Sequence, residues 1–241
     1  MKILITNDDG IASPSLPRLA DWAEQFGEVT VIAPRVEQSG RSQAIDFHDP
    51  IEIKRVTLEG GREAWAVAST PADCVRFGFL GLKEHYDLVL SGINRGYNLG
   101  EDIVYSGTIG AIFEAARMRT RAIAFSCDVD GFDGAFAELD TVYDFIVKNG
   151  ILNHTDLINV NFPAGPCKGI SITRQGGIFY SDGFVSYGND LYMQMGEPVP
   201  NDSRDITVDI SAVKHGYISV TPLTANRTDM AAYDALQFLN S

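Results

Sequence analysis

Positive charge is scarce in this chain of 241 residues: 19 Lys and Arg stand against 32 Asp and Glu, for a formal net charge of -13. A surface of that sign repels phosphate backbones and anionic lipid, which argues against a nucleic-acid polymer or a membrane as partner. Cysteine is scarce too. Cys74, Cys127 and Cys167 are odd in number and widely spaced, with no C-x-x-C, so they suit reduced thiols better than a disulfide framework. The four histidines, His48, His85, His154 and His215, are scattered, and no pair has the spacing of zinc ligands. No apolar run approaches membrane-spanning length, and strand-like sequence from residue 2 leaves no room for a signal peptide. The expected compartment is the cytoplasm.

What the chain does contain is ordinary for a globular protein: 45% hydrophobic and 21% charged residues, enough for one large core or a core with an appendage. Its first ten residues organise the rest. Ile3, Leu4 and Ile5 form a short β-branched run suited to a strand buried on both faces. The run ends in Asn7-Asp8-Asp9-Gly10, the composition of a tight turn. In an open α/β sheet, ligands bind beyond the carboxyl ends of the strands, where this turn falls. Taken alone, an Asp-Asp-Gly turn is more simply a cap, with Asp9 starting the next helix.

The spacing of Leu16, Leu19, Ala20, Ala23 and Phe26 predicts a helix over 15–26, and 28–34 reads as a second buried strand. Together they make a strand–helix–strand unit with a parallel crossover. Residues 51–56 and 63–68 read as a strand pair around Gly60-Gly61. Thr70-Pro71-Ala72-Asp73 starts a helix that runs to about Leu82. A strand over 86–92 leads to a long Gly- and Asn-rich loop, 93–105, and Ser106-Gly107-Thr108 opens a helix. A strand over 121–127 and a helix over 135–149 follow. Beyond 165 only 170–174 and 217–223 look strand-like. The stretch 175–205 reads as loops or a hairpin excursion. A short terminal helix, 228–239, carries Met230, Tyr233, Leu236 and Leu239 on one stripe. The expected plan is an α/β core over 1–165 and an irregular extension over 166–241, part core strand and part oligomerisation arm.

Three loops at strand carboxyl ends carry oxygen-rich side chains: Asp8 and Asp9, Ser39, and Asn94. Two carboxylates, a hydroxyl and an amide carbonyl form a hard-oxygen set suited to Mg²⁺ or Mn²⁺. Water could complete such a shell and be activated there as a nucleophile. Ser106-Gly107-Thr108, at a helix start after a Gly-rich loop, offers backbone N–H groups and the helix dipole to an anion. A cation site and an anion nest in one chain point to phosphate-ester hydrolysis. Other residues read more plainly: Cys74, Trp22 and Trp65 as core, His215 as a helix end, and Arg35, Arg41 and Arg95 as loop charges near the site.

The ordered motifs I-T-N-D-D-G at 5–10, Q-S-G at 38–40, T-P-A-D-C at 70–74, S-G-I-N-R-G at 91–96 and Y-S-G-T-I-G-A at 105–111 carry a resemblance. N-V-N-F-P at 159–163, T-R-Q-G at 173–176 and G-Y-I-S-V-T-P-L at 216–223 extend it over nearly the whole chain. The sequence resembles the SurE family of survival-protein nucleotidases. The resemblance implies a Rossmann-like α/β fold, mostly a parallel sheet flanked by helices, with a C-terminal extension exchanged in a homodimer and, in some members, a tetramer. It implies hydrolysis of nucleoside 5′- and 3′-monophosphates, and in some members short polyphosphate. It also implies one divalent metal ion held by Asp8, Asp9, Ser39 and Asn94, with catalysis by Asp8, Asp9 and Asn94. Phosphate is then held by Asn94, Ser106, Gly107 and Thr108.

Departures from the family pattern fall elsewhere: Arg35 where Asp commonly follows the proline, Ser69 where Gly precedes T-P-A-D, and no tryptophan-bearing run over 181–200. Asn226-Arg227-Thr228 also replaces a pattern with Asp. These bear on substrate preference and subunit contacts. Among other classes, a receiver domain needs a lysine in a region where this chain has none, between Lys83 and Lys148. A haloacid-dehalogenase-type phosphatase needs Asp-x-Asp. A non-catalytic dinucleotide-binding module is the remaining alternative, and G-x-G-x-x-G is missing after the first strand.

Overall fold

The computed structural model describes residues 1–239. The chain opens with β1 (Lys2–Thr6), α1 (Ser15–Ala23) and β2 (Glu28–Pro34), a unit whose two strands pair in parallel. An antiparallel pair, β3 (Ile53–Thr57) and β4 (Glu63–Val67), follows, and then α2 (Pro71–Arg76), which runs on into a π turn over Phe77–Gly81. Next come β5 (Leu88–Arg95), α3 (Gly107–Arg117), β6 (Arg121–Cys127), α4 (Phe132–Lys148) and β7 (Leu157–Phe162). The remainder holds β8 (Ile170–Ile172), a hairpin of β9 (Tyr180–Gly188) and β10 (Leu191–Pro198), α5 (Asp209–Lys214), β11 (Ile218–Leu223) and α6 (Met230–Leu236).

Nine strands form one sheet in the order β3-β4-β2-β1-β5-β6-β7-β11-β8, parallel from β4 through β7. Alternation along β1 divides the core. Ile3 and Ile5 pack with Leu16 and Leu19 of α1 and Leu139 and Val142 of α4. Leu4, between them, packs on the other face with Val75 of α2 and Ile109 and Ile112 of α3. All three β1 side chains are fully buried, each contributing roughly 1.5–3 kcal/mol by removal from water. From β1 the chain moves to β2 on one side, while β5 lies on the other. The strand order therefore reverses between β1 and β5, the point where doubly wound sheets leave a crevice at their carboxyl edge.

The structure departs from the sequence reading in four places. β5 runs to Arg95 instead of ending at Gly92, because its register breaks after Ser91 and pairing with β6 resumes at Asn94. Gly92 makes that break possible: its φ is +129°, and a Cβ there would lie 2.3 Å from the Phe125 carbonyl oxygen. The supposed long loop also contains a 3₁₀ helix over Gly100–Tyr105. β7 and α5 are not anticipated at all. In β7 the alternate polar residues Asn159 and Asn161 interrupt the apolar run, yet both are buried. Trp22 and Trp65 are only half-buried, the indole N–H of Trp22 donating to Asp140 at 2.8 Å. Cys74 is fully buried, and His215 sits at the carboxyl end of α5 with its Nδ1 2.8 Å from the Ser211 carbonyl.

Besides the pairing of β11 with β7, one buried acid ties the carboxyl-terminal segment to the core. Asp209, at the start of α5 and 1% exposed, accepts from the N–H groups of Gly100 at 2.9 Å, Gly176 at 2.8 Å and Ile210 at 2.7 Å. Burial pushes its carboxyl above the ordinary value, and these three donors oppose that shift. Asp209→Ala leaves buried donors unpartnered and is expected to lower stability by about 3 kcal/mol. Urea unfolding of the variant beside wild type measures it, and a loss of only a few tenths would mean that the anchor is dispensable.

Candidate active site

Beyond β1 the chain turns through Asn7-Asp8-Asp9-Gly10, and Asn7 closes the turn with both ends of its amide. Its Oδ1 accepts from the Gly10 N–H and its Nδ2 donates to the Gly10 carbonyl, each at 3.1 Å. Asp8 is 4% exposed. Its Oδ1 accepts the Thr108 hydroxyl at 2.6 Å and its Oδ2 the Thr108 N–H at 3.2 Å. Thr108 lies in the first turn of α3, so the carboxylate sits at the positive end of that helix dipole. Asp9 is half-buried and accepts the Arg95 N–H at 3.3 Å. The capping interpretation of the turn fails: α1 begins at Ser15, with Pro14 in the cap position.

The two carboxylates lack a cationic partner of comparable strength. Burial pushes the Asp8 carboxyl upward, and the Thr108 donors pull against it. Burial also pushes Asp9 up to about 6, with the charge of Asp8 adding to the effect and Glu37 contributing further. The Arg95 guanidinium is aimed elsewhere, its Nε donating to the Val129 carbonyl at 2.9 Å and its terminal nitrogen 3.8 Å from Asp130. Arg35 is likewise engaged, 2.6 Å from Glu52.

Neutral oxygens are carried at two further strand ends. The loop after β2 is seated on the turn by the Gln38 N–H, which donates to the Asp8 carbonyl at 2.7 Å. Next to it Ser39 is exposed, its hydroxyl donating to Glu37 at 2.7 Å. Asn94 donates from Nδ2 to the Gly96 carbonyl at 2.9 Å. In both residues a donor is spent on a neighbour and the oxygen lone pairs stay available. Among the described residues no three His, Cys, Asp or Glu side chains converge on a metal position. A cation at this turn would therefore draw on those neutral oxygens as well as on Asp8 and Asp9. The donor set fits a hard divalent ion.

At the start of α3, Ser106 is the cap, its Oγ accepting the Ile109 N–H at 3.1 Å, which leaves its own O–H to donate outward. Gly107 lets the helix approach the acidic turn: a Cβ there would lie 2.9 Å from the Cβ of Asp8. Thr108, expected to hold phosphate, spends both its N–H and its hydroxyl on Asp8. In this structure it orients that carboxylate, beside Ser106 and the Gly107 backbone.

Polar tethers fix the loops, and sequence reading did not find them. Ser42 donates from its N–H to the Tyr105 carbonyl at 2.9 Å and from its hydroxyl to that of Val104 at 2.7 Å. Gln43 reaches the buried Glu114 at 3.0 Å, and Glu114 in turn meets Arg76 at 2.9 Å. Past Asn94, the backbone of Asn98 is gripped by β7: its N–H donates to Asn161 Oδ1, and its carbonyl accepts from Asn159 and Asn161, all at 2.9 Å. The available signal was the spacing of Asn159 and Asn161. Two apart in a strand, they share a face.

A parallel sheet whose acidic turn and hydroxyl-bearing helix start meet where strand order reverses defines a doubly wound α/β protein with a polar crevice at its carboxyl edge. Comparison with known proteins narrows that class. The family model described as Survival protein SurE matches residues 3–182. The chain is 40% identical over 255 residues to the 5′-nucleotidase SurE of Acinetobacter baumannii, covering 98% of each. It is 37% identical over 252 residues to that of Thermoanaerobacter pseudethanolicus, covering 100% of this chain and 98% of the relative. The crystal structure of the SurE protein from Aquifex aeolicus matches 100% of both chains with a TM-score of 0.78 at 32% identity. The chain belongs to the SurE family.

The Gly107 contact yields a test of the geometry. Alanine is a better helix former than glycine by roughly 1 kcal/mol, so Gly107→Ala is expected to keep its melting temperature within about 4 °C of wild type. The added methyl group should nonetheless displace the acidic turn, seen as NMR shifts at Asn7 to Gly10 and at Thr108. Unmoved resonances there would mean that helix and turn are not in contact.

Proposed function

We propose that this protein is a metal-dependent phosphomonoesterase that hydrolyses nucleoside 5′- and 3′-monophosphates, and short polyphosphate as a further substrate, to release phosphate. The observation that carries this reading is the junction of Asp8 with Thr108, which joins an uncompensated acidic turn to the amino end of α3. The naming of the bacterial relatives as 5′-nucleotidases supports the substrate class.

Asp8, Asp9, Ser39 and Asn94 would hold one Mg²⁺ or Mn²⁺ ion. When bound, such an ion supplies charge neutralisation at the phosphoryl oxygens and lowers the pKa of water. Asp8 is held to one orientation by Thr108. Asp9, fixed through the Arg95 N–H, faces the crevice between β1 and β5. The Ser106 hydroxyl and the Gly107 N–H receive phosphoryl oxygens, and the dipole of α3 favours charge that builds up there. Asn94 presents its carbonyl oxygen, one of its amide hydrogens being committed to Gly96.

Chelation is expected to abolish phosphate release from AMP, and added Mn²⁺ or Mg²⁺ to restore it. Asp8→Asn and Asp9→Asn should lower kcat/KM most, by roughly a hundred- to thousandfold, with Asn94→Ala close behind. Ser39→Ala should be mildest and partly rescued by high Mn²⁺, since water can replace an exposed hydroxyl in the shell. Undiminished turnover in metal-free protein, or near-wild-type rates in both aspartate variants, would refute the reading.

The same proposal extends to assembly and compartment. α6 exposes Met230, Tyr233, Leu236, Phe238 and Leu239 with its following turn, and the β9–β10 hairpin exposes Phe184, Tyr187, Tyr192 and Met193. Apolar surface of that extent supports a homodimer or tetramer formed through exchanged carboxyl-terminal arms. Among the described residues no helix is long and apolar enough to cross a membrane, and all three cysteines are unpaired, which supports a reducing cytoplasm. Sedimentation at micromolar concentration should give a dimer or larger species, and truncation after Pro222 should reduce its mass or its stability. A full-length monomer would contradict the proposal.

A further inference from the structure

We propose that Gln43 and the buried Glu114 are positioning residues for Ser39, through which α3 sets how tightly the crevice holds a cation, an assignment that rests on the cation site proposed above. Of the four residues assigned to that site, Asp8 is held by Thr108, Asp9 by the Arg95 N–H, and Asn94 lies within β5. Ser39 is less secure. It is exposed, and it lies in a stretch from residue 35 to residue 52 that holds neither helix nor strand. A stretch of that length keeps one shape only when it is tied to the body of the protein. On one side of Ser39 the Gln38 N–H supplies a tie, donating to the Asp8 carbonyl at 2.7 Å. The other side needs a second.

That second tie comes from α3. Gln43 donates from Nε2 to the Glu114 Oε2 at 3.0 Å, and Glu114 is 1% exposed. The other oxygen of Glu114 accepts from Arg76 at 2.9 Å, so the buried carboxylate is compensated by charge on its own side of the contact. A hydrogen bond to an ionised acceptor is stronger than one between neutral groups. Gly110 lies four residues before Glu114, on the same face of the helix. It makes room for the loop, since a Cβ there would collide with the Ser42 carbonyl. Farther on, the Ala44 carbonyl accepts the Thr70 hydroxyl at 2.6 Å, and the Asp46 N–H donates to Asp73 at 2.8 Å. With the Ser42 bonds to Val104 and Tyr105, the loop is fastened along both α2 and α3. The helix that orients Asp8 through Thr108 thus also fixes how far Ser39 stands from it. A change in that spacing is felt as a change in affinity for any cation the two oxygens share.

The test measures the Mn²⁺ affinity of the full-length protein from the EPR signal of the free ion, a readout that does not depend on turnover. Ser39→Ala is expected to weaken binding about tenfold, and Gln43→Ala about fivefold because it acts only through Ser39. In the Ser39→Ala background, Gln43→Ala should then change affinity by no more than about twofold, a coupling that a general loss of stability does not produce. Gly110→Ala displaces the loop by contact and leaves the Gln43 amide in place, and it should follow Gln43→Ala in both backgrounds. Gln43→Ala that weakens Mn²⁺ binding equally in the two backgrounds, or in neither, overturns the assignment, as does unchanged affinity in Ser39→Ala or in Gly110→Ala. Wild type that binds no Mn²⁺ overturns the cation site and the assignment together. Coupled Mn²⁺ binding without phosphate release from AMP upholds both and overturns the nucleotidase reading alone.

Discussion

Two carboxylates crowd each other at the end of β1 with little compensating charge from the chain itself, and much of the surrounding architecture holds them there. Left alone, the pair would relieve its repulsion by taking up a proton or swinging apart. Burial pushes Asp9 up to about 6, so its ionised form costs more here than in an exposed carboxylate. Thr108 prevents Asp8 from turning away, and the Arg95 N–H does the same for Asp9. Stability is given up locally to keep two carboxylates side by side.

Rigid loops around that pair come from buried polar groups and not from extra apolar packing. Glu114, Asp209 and the Asn159–Asn161 pair are each almost wholly buried, and each grips backbone or side chain of a loop bordering the crevice. The nine-stranded sheet supplies the frame, and these polar contacts supply the aim. Gly92 and Gly107 serve the same end by what they lack. One permits the register break that places Asn94, and the other permits α3 to approach Asp8 closely enough for the Thr108 bonds.

The α/β alternation, the strands from β1 to β6, the helix starts at Thr70 and Ser106, and the oxygen-bearing loops were legible in the sequence because each rests on local pattern. Apolar period, capping residues and Gly-rich turns are written within a few neighbours. What escaped depends on partners far along the chain. β7 was hidden because Asn159 and Asn161 look like solvent-facing residues until Asn98 is seen to use them. The bond from Thr108 to Asp8 was hidden for a similar reason: its partners lie 100 positions apart. α5 is too short to declare a period. The extension of β5 past Gly92 reads as loop composition, although it is paired backbone.

The contact between Asp8 and Thr108 spans 100 positions of sequence, which has a consequence for how the protein comes into being. At a synthesis rate of about 5–20 residues per second, the acidic turn is made roughly 5–20 s before the threonine that orients it. β1 also has to wait for β5, whose pairing with it begins at Leu88. Parallel pairing across such distances closes slowly. For that interval the nascent chain carries β1 with one sheet edge unpaired and an Asp8 carboxylate without the helix that orients it. The acidic turn is thus among the first segments synthesised, while its orientation waits on a helix made much later.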